Sequence, residues 1–355
     1  MASYSTGMTA ALFALCAGCA APPAAALVAG EGKRVLVIAN AADPASVRLA
    51  RYYLAKRGVP KENLVLLKTT TSEELPQSAF AKEIEAPVKA ALARTKNPVD
   101  FLLLIRGVPI RVAEGGDSVD SRLMSSGLKL LKIQVGEVAP NPYFGKDEPF
   151  THAKFGIYLA CRLDGYTAAD AQALVDRSLK AKPNKGPFLL DEADNRKAES
   201  YGQLQGAFVP AAQTLTGRGL TVELDREVAF ALAPKPLAGY VSWGSNDGAF
   251  SIGVYRSLRF LPGAISETFV STSGRTFRDP NAPGQSLVGD LIAQGVTGVK
   301  GYVSEPYTLA LARPDLLFDR YTKGRNLAES FYAASPVTHW KDVVIGDPLC
   351  APYRR

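Results

Sequence analysis

Near-continuous apolar runs alternate with helical patterns through the first half of the chain. The runs Lys33–Ala39 (KRVLVIA), Asn63–Leu67 and Val99–Ile105 (VDFLLLI) have the length and composition of strands buried on both faces. Between the first two runs, Asp43 precedes a proline and Gly58 follows a basic pair, which indicates a helix that starts and ends near these residues. This alternation predicts a mainly parallel sheet.

Three more elements are predicted in the first half. The spacing of apolar residues favours a helix from Phe80 to Ala91, kinked by Pro87. Phe155–Ala160 is predicted as a strand. Thr167, followed three positions later by an acidic residue, predicts the capped start of another helix.

A long irregular segment, Arg106–Pro149, interrupts this alternation. Its charged side chains include Arg106, Arg111, Asp117, Asp120 and Arg122. Two interpretations stay open. These side chains form a functional group at one edge of the sheet, or the segment is a surface excursion held by its own ion pairs.

The second half repeats the alternation of strands and helices. The predicted strands include residues 188–190, 220–224, 296–303 and 343–345, and the predicted helices lie around residues 204–215, 286–292 (capped by Ser286) and 314–334 (broken at Gly324). Lys180–Pro187 (KAKPNKGP) has the composition of a linker. We therefore expect an α/β fold, a mainly parallel sheet with flanking helices, built from two similar subdomains at residues 31–183 and 184–355.

Two further strands end in turns crowded with small polar residues. They lie in Gly239–Gly248 (GYVSWGSNDG) and Ala264–Gly274 (AISETFVSTSG), and a third polar strand end is Ser304-Glu305. Because open α/β sheets build sites at the carboxyl ends of their strands, these turns predict one polar crevice, with well-capped loops as the alternative. The candidate ligand-binding residues are Ser242, Trp243, Ser245, Asn246, Asp247, Ser271, Thr272 and Ser273.

Carboxylates lie close to all three strand ends. Two of Asp247, Glu267 and Glu305 can serve as an acid and a base if they share the crevice; otherwise they are caps or ion-pair partners. Trp243 is either part of the core or a platform for stacking. Asp347, in the Gly-Asp-Pro turn after the last apolar run, is predicted to be structural.

Composition excludes several classes of function. Of the 355 residues, 47% are apolar and 21% are charged, which is ordinary for a globular protein of two core-bearing units. The charge of +7 arises from 41 basic and 34 acidic residues without long runs of one sign, so we expect no nucleic-acid partner. There are two histidines and no glycine-rich phosphate motif after a strand, so we expect no metal and no cofactor.

The first 30 residues carry no charged side chain and include the apolar stretch AALFALCAGCAAPPAAALVA. This pattern predicts a secretory signal peptide or a lipoprotein signal at residues 1–30. Cys16-Ala17-Gly18-Cys19 is similar to a lipoprotein processing box, so Cys19 is a candidate for lipidation, and we expect membrane contact only through that lipid. The expected location is extracytoplasmic: the periplasm, the cell envelope or the medium.

Two cysteines, Cys161 and Cys350, remain once this segment is removed. In an oxidising compartment they can pair, and in a reducing one they are two buried thiols.

Four stretches carry a resemblance to a known family: YLACRLDGYT, GYVSWGSNDG, ETFVSTSG and VVIGDP. Their order resembles the caspase-like fold of gingipain-type cysteine peptidases, and it is similar also to an exported bacterial family of unknown function related to those peptidases. The resemblance covers residues 33–353. In the peptidases a Gly-His-Gly-Ser turn supplies the general base and a Cys-x-x-Gly turn supplies the nucleophile. Here Trp243 lies where the histidine is expected and Ser271 lies where the cysteine is expected.

These departures imply loss of the Cys-His dyad. A serine without an adjacent base is a poor nucleophile, and both His152 and His339 lie outside the two turns. The resemblance thus implies a protein that binds a peptide or another polar ligand in the crevice. The alternative is a peptidase-like hydrolase that uses a serine or carboxylate site there, with Ser271, Asp247 and Glu305 as catalytic candidates.

If the signal is functional, the mature protein begins between Cys19 and Gly32, where the uncharged segment ends. Mass spectrometry of the protein from the native cell envelope measures this terminus. Cytosolic protein that retains Met1 or Met8 at its terminus would contradict the prediction.

Overall fold

The computed structural model describes residue 1 and residues 30–355, so the predicted export signal lies outside the described residues. Ten strands form one large sheet. In chain order they are β1 (Val35–Asn40), β2 (Leu64–Leu67), β3 (Phe101–Ile105), β4 (Leu159–Leu163), β5 (Phe188–Asp191), β6 (Val222–Asp225), β7 (Leu237–Ser242), β8 (Phe260–Thr268), β9 (Gly298–Tyr302) and β10 (Asp342–Gly346).

The strand order across this sheet is β6-β5-β7-β8-β9-β10-β4-β3-β1-β2. Every neighbouring pair is parallel except β9 and β10. The last strand of the chain, β10, lies between the strands of the first half and those of the second, and it meets β4 at a single register pair. The predicted α/β fold with a mainly parallel sheet is confirmed.

Helices occupy most of the connections between these strands. They are α1 (Pro44–Arg57), α2 (Ala86–Arg94), α3 (Val119–Met124), α4 (His152–Phe155), α5 (Ala168–Lys180), α6 (Glu199–Gln205), α7 (Phe208–Gly217), α8 (Ile252–Ser257), α9 (Val288–Ala293), α10 (Pro314–Thr322) and α11 (Leu327–Ala334). Two small sheets accompany them, one formed by Leu131–Ile133, Gly136–Pro140 and Val337–Thr338 and the other by Glu74–Leu75 and Arg111–Val112.

The helix signals read from the sequence correspond to real caps. The Asp43 carboxylate accepts a hydrogen bond from the Ala45 amide at 2.8 Å, and Gly58 ends α1 with φ at +61°. Thr167 and Asp170 form a reciprocal capping box at the start of α5. These local bonds satisfy amides and carbonyls that a helix end leaves without partners.

The strand predicted at Phe155–Ala160 exists, but its predicted bounds are wrong. Phe155 is the last residue of the one-turn helix α4, Gly156 follows with φ at +71°, and β4 begins only at Leu159. A single helical turn is too short to show a periodicity, so its apolar residues merge with those of the strand. As a result Cys161 lies in the middle of β4.

The helix around Pro87 contains a wider turn in place of a simple kink. Phe80–Glu85 is π-helical and leads directly into α2, where Pro87 occupies the first turn. Proline has no amide hydrogen to donate to the preceding turn, which interrupts the regular helical ladder there.

The Arg106–Pro149 segment folds against the body of the protein. Its ion pairs are Arg106–Asp164, Arg111–Glu74, Asp117–Arg122 and Asp120–Arg162. Only the third pair is internal to the segment, and the side chains of the fourth are fully buried. The pairs Arg106–Asp164 and Asp120–Arg162 are connected through the Arg162–Asp164 pair at the end of β4. The segment is therefore held mainly by ion pairs with the rest of the chain, and a functional group at this edge stays a prediction.

The segment between α5 and β5 contains the predicted linker. It has no regular secondary structure, and the predicted boundary at residues 183 and 184 falls within it. The division into two subdomains stays a prediction, because β10 follows the boundary in sequence but pairs with β4 from before it.

Asp347 joins the end of β10 to α1. Its carboxylate accepts hydrogen bonds from the Tyr53 hydroxyl at 2.8 Å, the Arg57 Nε at 2.6 Å and the Leu349 amide at 3.0 Å. Both Asp347 and Arg57 are buried, and the carboxylate raises the pKa of the Arg57 guanidinium against the opposing effect of burial. The turn after β10 is thereby fixed to a helix of the first half.

The two cysteines are free thiols. Cys161 and Cys350 are both buried, and burial raises the pKa of each thiol. Of the two alternatives for these cysteines, the structure contains the unpaired thiols.

Among residues 30–355, none of the helices combines the length and apolar character needed to cross a membrane.

Asp347→Ala should lower the free energy of unfolding by about 3–5 kcal/mol, because it leaves the buried Arg57 guanidinium without its counter-ion. Urea denaturation followed by circular dichroism measures the change. Glu148→Ala is the matched control, since it removes one partner of an exposed pair with Lys154 and should cost about 1 kcal/mol or less. Equal losses in the two variants would contradict a structural role for the buried pair.

Candidate functional site

The turns after β7 and β8 lie side by side at one edge of the sheet. Ser242, the last residue of β7, pairs in register with Thr268 of β8 and with Asp191 of β5. β9 runs parallel to β8, so Ser304-Glu305 follows a strand that ends at the same edge. Four strand ends therefore converge here.

Hydrogen bonds tie the first two turns together. The side-chain amide of Asn246 donates to the Phe269 carbonyl at 2.7 Å and accepts from the Gln285 amide at 3.0 Å. The Gln285 carbonyl oxygen accepts from both the amide and the hydroxyl of Thr272. Gly244 allows the close approach, because its φ is +46° and a Cβ there would lie 2.8 Å from a neighbouring side chain.

Ser286 belongs to this network, and its predicted role as a helix cap is wrong. The residue that caps α9 is Leu287, which offers no side-chain bond. The Ser286 hydroxyl accepts from the Ser245 amide at 3.2 Å, and the Ser286 amide donates to the Ser245 hydroxyl at 2.9 Å. The Ser286 hydroxyl is engaged by the neighbouring turn, so it is not available to cap α9.

A cavity of about 280 Å³ opens beside these turns. We call it the strand-end cavity; it is lined by Arg196, Ser200, Tyr201, Trp243, Asn246, Phe269, Ser271, Glu305, Pro306, Tyr307, Thr308 and Leu311. Its volume is at the lower end for small-molecule sites, which suits a single side chain or a comparably small polar group.

Four of the predicted site residues line the strand-end cavity: Trp243, Asn246, Ser271 and Glu305. Ser271 is half-buried, and its hydroxyl makes no hydrogen bond within residues 30–355. Glu305 is exposed, and one carboxylate oxygen accepts from the Tyr307 amide at 3.0 Å. Ser271 is therefore a hydroxyl of the cavity lining that is free to bond a ligand.

The other five predicted residues do not line the cavity. Ser242 and Ser273 are fully buried and Asp247 nearly so, whereas Ser245 bonds to Ser286 and Thr272 bonds to Gln285, both in the segment before α9. These side chains hold the shape of the crevice wall. A ligand in the cavity does not contact them.

Trp243 packs as a core residue that forms the floor of the cavity. It is 2% exposed, its ring meets Phe269 edge-on at 4.9 Å, and its indole N–H donates to the side chain of Gln205 at 2.7 Å. The aromatic rings that remain exposed in the cavity are Tyr201 and Tyr307, at 41% and 46%.

Arg196 is the main residue that sequence reasoning missed. It lies in the short helical turn after β5, and its guanidinium is within cation–π distance of the ring centroids of Tyr201 at 4.9 Å and Trp243 at 5.6 Å. Its segment, DEADNR, resembles any solvated loop in the sequence. The position of Arg196 follows from the strand order, because β5 pairs directly with β7 and therefore ends at the same edge.

Two walls of the cavity carry strained backbone. Tyr307 has φ at +54° with ψ at 173°, and Glu199, which immediately precedes the cavity residue Ser200, has φ at +52°. Such conformations cost a non-glycine residue on the order of 1–3 kcal/mol and concentrate at functional sites. The strain adds a separate reason to regard the cavity as a site.

Neither histidine reaches the cavity. His152 stacks on Tyr158 with ring centroids 3.9 Å apart. His339 Nδ1 lies 2.8 Å from the Ser125 hydroxyl, and burial lowers the pKa of this histidine. Ser125 is itself buried and also donates to the Ser121 carbonyl, so this pair offers no accessible nucleophile.

Asp191 lies buried behind the first turn. Burial, and then the nearby carboxylates of Asp247 and Asp225, raise the pKa of Asp191 to about 8. Burial also raises the pKa of Asp247. Asp191 is therefore a neutral acid in the folded protein near neutral pH.

Glu267 is buried within β8. Its burial raises the pKa to about 8 despite the nearby Lys300 ammonium, and it accepts a hydrogen bond from the Tyr302 hydroxyl at 2.8 Å. It does not line the cavity. No group of three or more His, Cys, Asp or Glu side chains in residues 30–355 is placed to hold a metal ion.

Comparison with solved structures identifies the fold. The chain is similar to the complex of Porphyromonas gingivalis RgpB pro- and mature domains, with a TM-score of 0.51 and 13% identity over 90% of this chain and 79% of that one. A second structure, described as a protease, gives a TM-score of 0.50 and 13% identity over 91% of this chain and 79% of that one. No protein-family model matches the sequence, and no curated protein matches it. The chain thus has a gingipain-like, caspase-type fold.

Asp191→Asn should make stability depend less on pH. In the wild type, Asp191 is protonated when folded up to about pH 8 and ionised when unfolded above about pH 4, so its contribution is full at low pH and is lost as pH rises through this window. Asparagine is neutral at every pH. The free energy of unfolding of the variant should therefore change with pH less steeply, by up to about 1.4 kcal/mol per pH unit. Urea unfolding at pH 5, 6, 7 and 8 measures both slopes, and identical slopes would contradict the assignment.

Proposed function

We propose that this chain is an exported protein of caspase-like fold that has lost the Cys-His dyad of gingipain-type peptidases. It binds a peptide or another polar ligand in the strand-end cavity. The observation that carries the proposal is the lining of that cavity, in which Trp243 and Ser271 occupy the two turns that the resemblance assigns to base and nucleophile.

The chemistry of these two residues favours binding over cysteine-type catalysis. The indole N–H of Trp243 donates a hydrogen bond and cannot accept a proton as imidazole does. The Ser271 hydroxyl has no histidine beside it, since both histidines bond elsewhere. A cavity with aromatic rings, one guanidinium and a few hydroxyls is instead typical of small polar recognition sites.

The thiols offer no replacement nucleophile. Cys161 lies within the central sheet and Cys350 contacts the buried Tyr321 hydroxyl at 3.5 Å. The pKa of each thiol is raised by burial, which disfavours the reactive thiolate.

One observation favours a second candidate function, a hydrolase. The Ser271 hydroxyl and the Glu305 carboxylate line the same cavity, and a carboxylate can act as a general base toward a serine. A serine-reactive fluorophosphonate tests this function. Labelling of Ser271 that is lost in Glu305→Gln would favour the hydrolase, and an unlabelled protein would favour binding alone.

The proposal includes location and partners. We place the protein outside the cytoplasm, in the periplasm, the cell envelope or the medium, on the strength of the uncharged segment at residues 1–30. Its partner is a peptide or a small polar ligand, without nucleic acid, and any membrane contact is through a lipid on Cys19.

The protein should show no cysteine-peptidase activity. The assay is hydrolysis of a mixed peptide library with and without a thiol alkylator, beside a Cys161→Ser, Cys350→Ser double variant. Both proteins should leave the library intact, because neither buried thiol faces the cavity. Alkylator-sensitive cleavage that disappears in the double variant would overturn the proposal, and cleavage that disappears only in Ser271→Ala would establish the hydrolase.

Binding is tested by filling the cavity. Ser271→Trp places a large ring in a half-buried position of the lining and should weaken capture of fluorescent hexapeptides at least about 10-fold, a loss of about 1.4 kcal/mol. Ser257→Trp is the control, because Ser257 is exposed and lies outside the lining. Equal affinities for the two variants would remove the cavity as the binding site.

A further inference from the structure

The guanidinium of Arg196 is held rigidly in the wall of the strand-end cavity. Its Nε donates to the Asn246 carbonyl at 2.8 Å, and its guanidinium carbon lies 4.9 Å from the centroid of the Tyr201 ring and 5.6 Å from that of Trp243. Asn246 is itself bonded to Phe269 of the next turn. The position of the charge is therefore set by the same bonds that join the two turns.

Arg196 differs from other partly buried arginines in the freedom of its terminal nitrogens. Arg177, Arg275 and Arg325 also form no ion pair within residues 30–355, but their terminal nitrogens donate to backbone carbonyls. Arg111 pairs with Glu74 and Arg122 pairs with Asp117. Within residues 30–355, Arg196 forms no ion pair, and its two terminal nitrogens make no hydrogen bond. A half-buried guanidinium with a free fork is the arrangement that binds a carboxylate through two parallel bonds.

We infer that the strand-end cavity recognises a carboxylate of its ligand. This inference rests on the proposed function and specifies the class of ligand. The carboxylate binds the two terminal nitrogens of Arg196, and the Ser271 hydroxyl is available as a further donor. Tyr201 and Tyr307 flank this position with exposed aromatic surface for the adjoining part of the ligand. Either an acidic side chain or the free carboxyl terminus of a peptide supplies the group.

Glu305 is the other charged residue of the lining and opposes an anionic ligand. Its carboxylate is exposed, so water screens it, and one of its oxygens is engaged by the Tyr307 amide. Arg196, in contrast, is packed between aromatic rings where its charge acts at shorter range through less water. Neutralising Glu305 should therefore help an acidic ligand.

The test uses four versions of the tightest hexapeptide from the library, titrated by calorimetry into the full mature chain. Each carries Glu or Gln at one position and a free or amidated carboxyl terminus, so the two sources of carboxylate are varied separately. Removing the carboxylate that is recognised should weaken binding about 10- to 100-fold, as expected for a charge-assisted pair. The version that loses affinity identifies the source.

Three variants complete the experiment. Arg196→Gln should weaken the acidic peptides by a similar factor and leave the doubly neutral peptide unchanged, and Glu305→Gln should strengthen the acidic peptides about twofold or more. Arg226→Gln is the matched control, because it removes an equal charge from an exposed position outside the cavity. The melting temperature of each variant is measured first. If Arg196→Gln does not fold, the wild-type comparison of four peptides carries the test.

The outcomes separate the inference from the proposed function. Equal affinity for all four peptides, with no effect of Arg196→Gln, would overturn the carboxylate while leaving peptide binding intact. Weaker binding of acidic peptides in Glu305→Gln would also overturn it, because the ligand would then present a donor to Glu305. A library without any binder would overturn both.

Discussion

The pairing of β10 with both halves of the sheet is the constraint on which the rest of the structure depends. It forms an antiparallel ladder with β9 from Asp342 to Gly346 and meets β4 in parallel at Ile345 and Arg162. Beyond it, Asp347 binds Arg57 on α1. This insertion joins the two halves into one sheet, and β5, β7, β8 and β9 are parallel to one another, so their carboxyl ends share one edge.

Hydrogen bonding at that edge decides which residues remain available to a ligand. The small polar side chains of the two turns mostly bond to neighbouring amides and carbonyls, as serine, threonine and asparagine do readily. The hydroxyls of Ser245 and Thr272 are engaged in hydrogen bonds of this kind. The groups left for recognition are longer side chains from flanking segments, Arg196 and Tyr307, whose ends extend past the bonded turns.

The sequence predicts most of the fold because strong local signals agree with it. The apolar runs of β1 and β3, the cap at Asp43 and the capping box at Thr167 all lie where the chain is folded as local chemistry favours. The prediction failed at α4, where one helical turn adjoins β4 and neither period is long enough to appear. The position of β10 in the sheet could not be predicted either, since strand order is set by long-range pairing that a local pattern does not encode.

The candidate site was predictable only in part for the same reason. The turns at Trp243 and Ser271 carry a visible excess of small polar residues, and both line the cavity. Arg196 carries no such signal, because its role depends on β5 lying next to β7. Burial of Ser242 was equally hidden, because β7 is covered on both faces up to its last residue and the local pattern does not encode the elements that cover it.

The central position of β10 also governs the order in which this protein can fold. Until Asp342–Gly346 has been synthesised, β4 and β9 each present an unpaired edge in what will become the middle of the sheet. Nearly the whole chain must therefore be available before the two halves can join, and the pairing spans a large separation in sequence, which slows folding. A nascent chain with two open edges is exposed to wrong pairing throughout this interval.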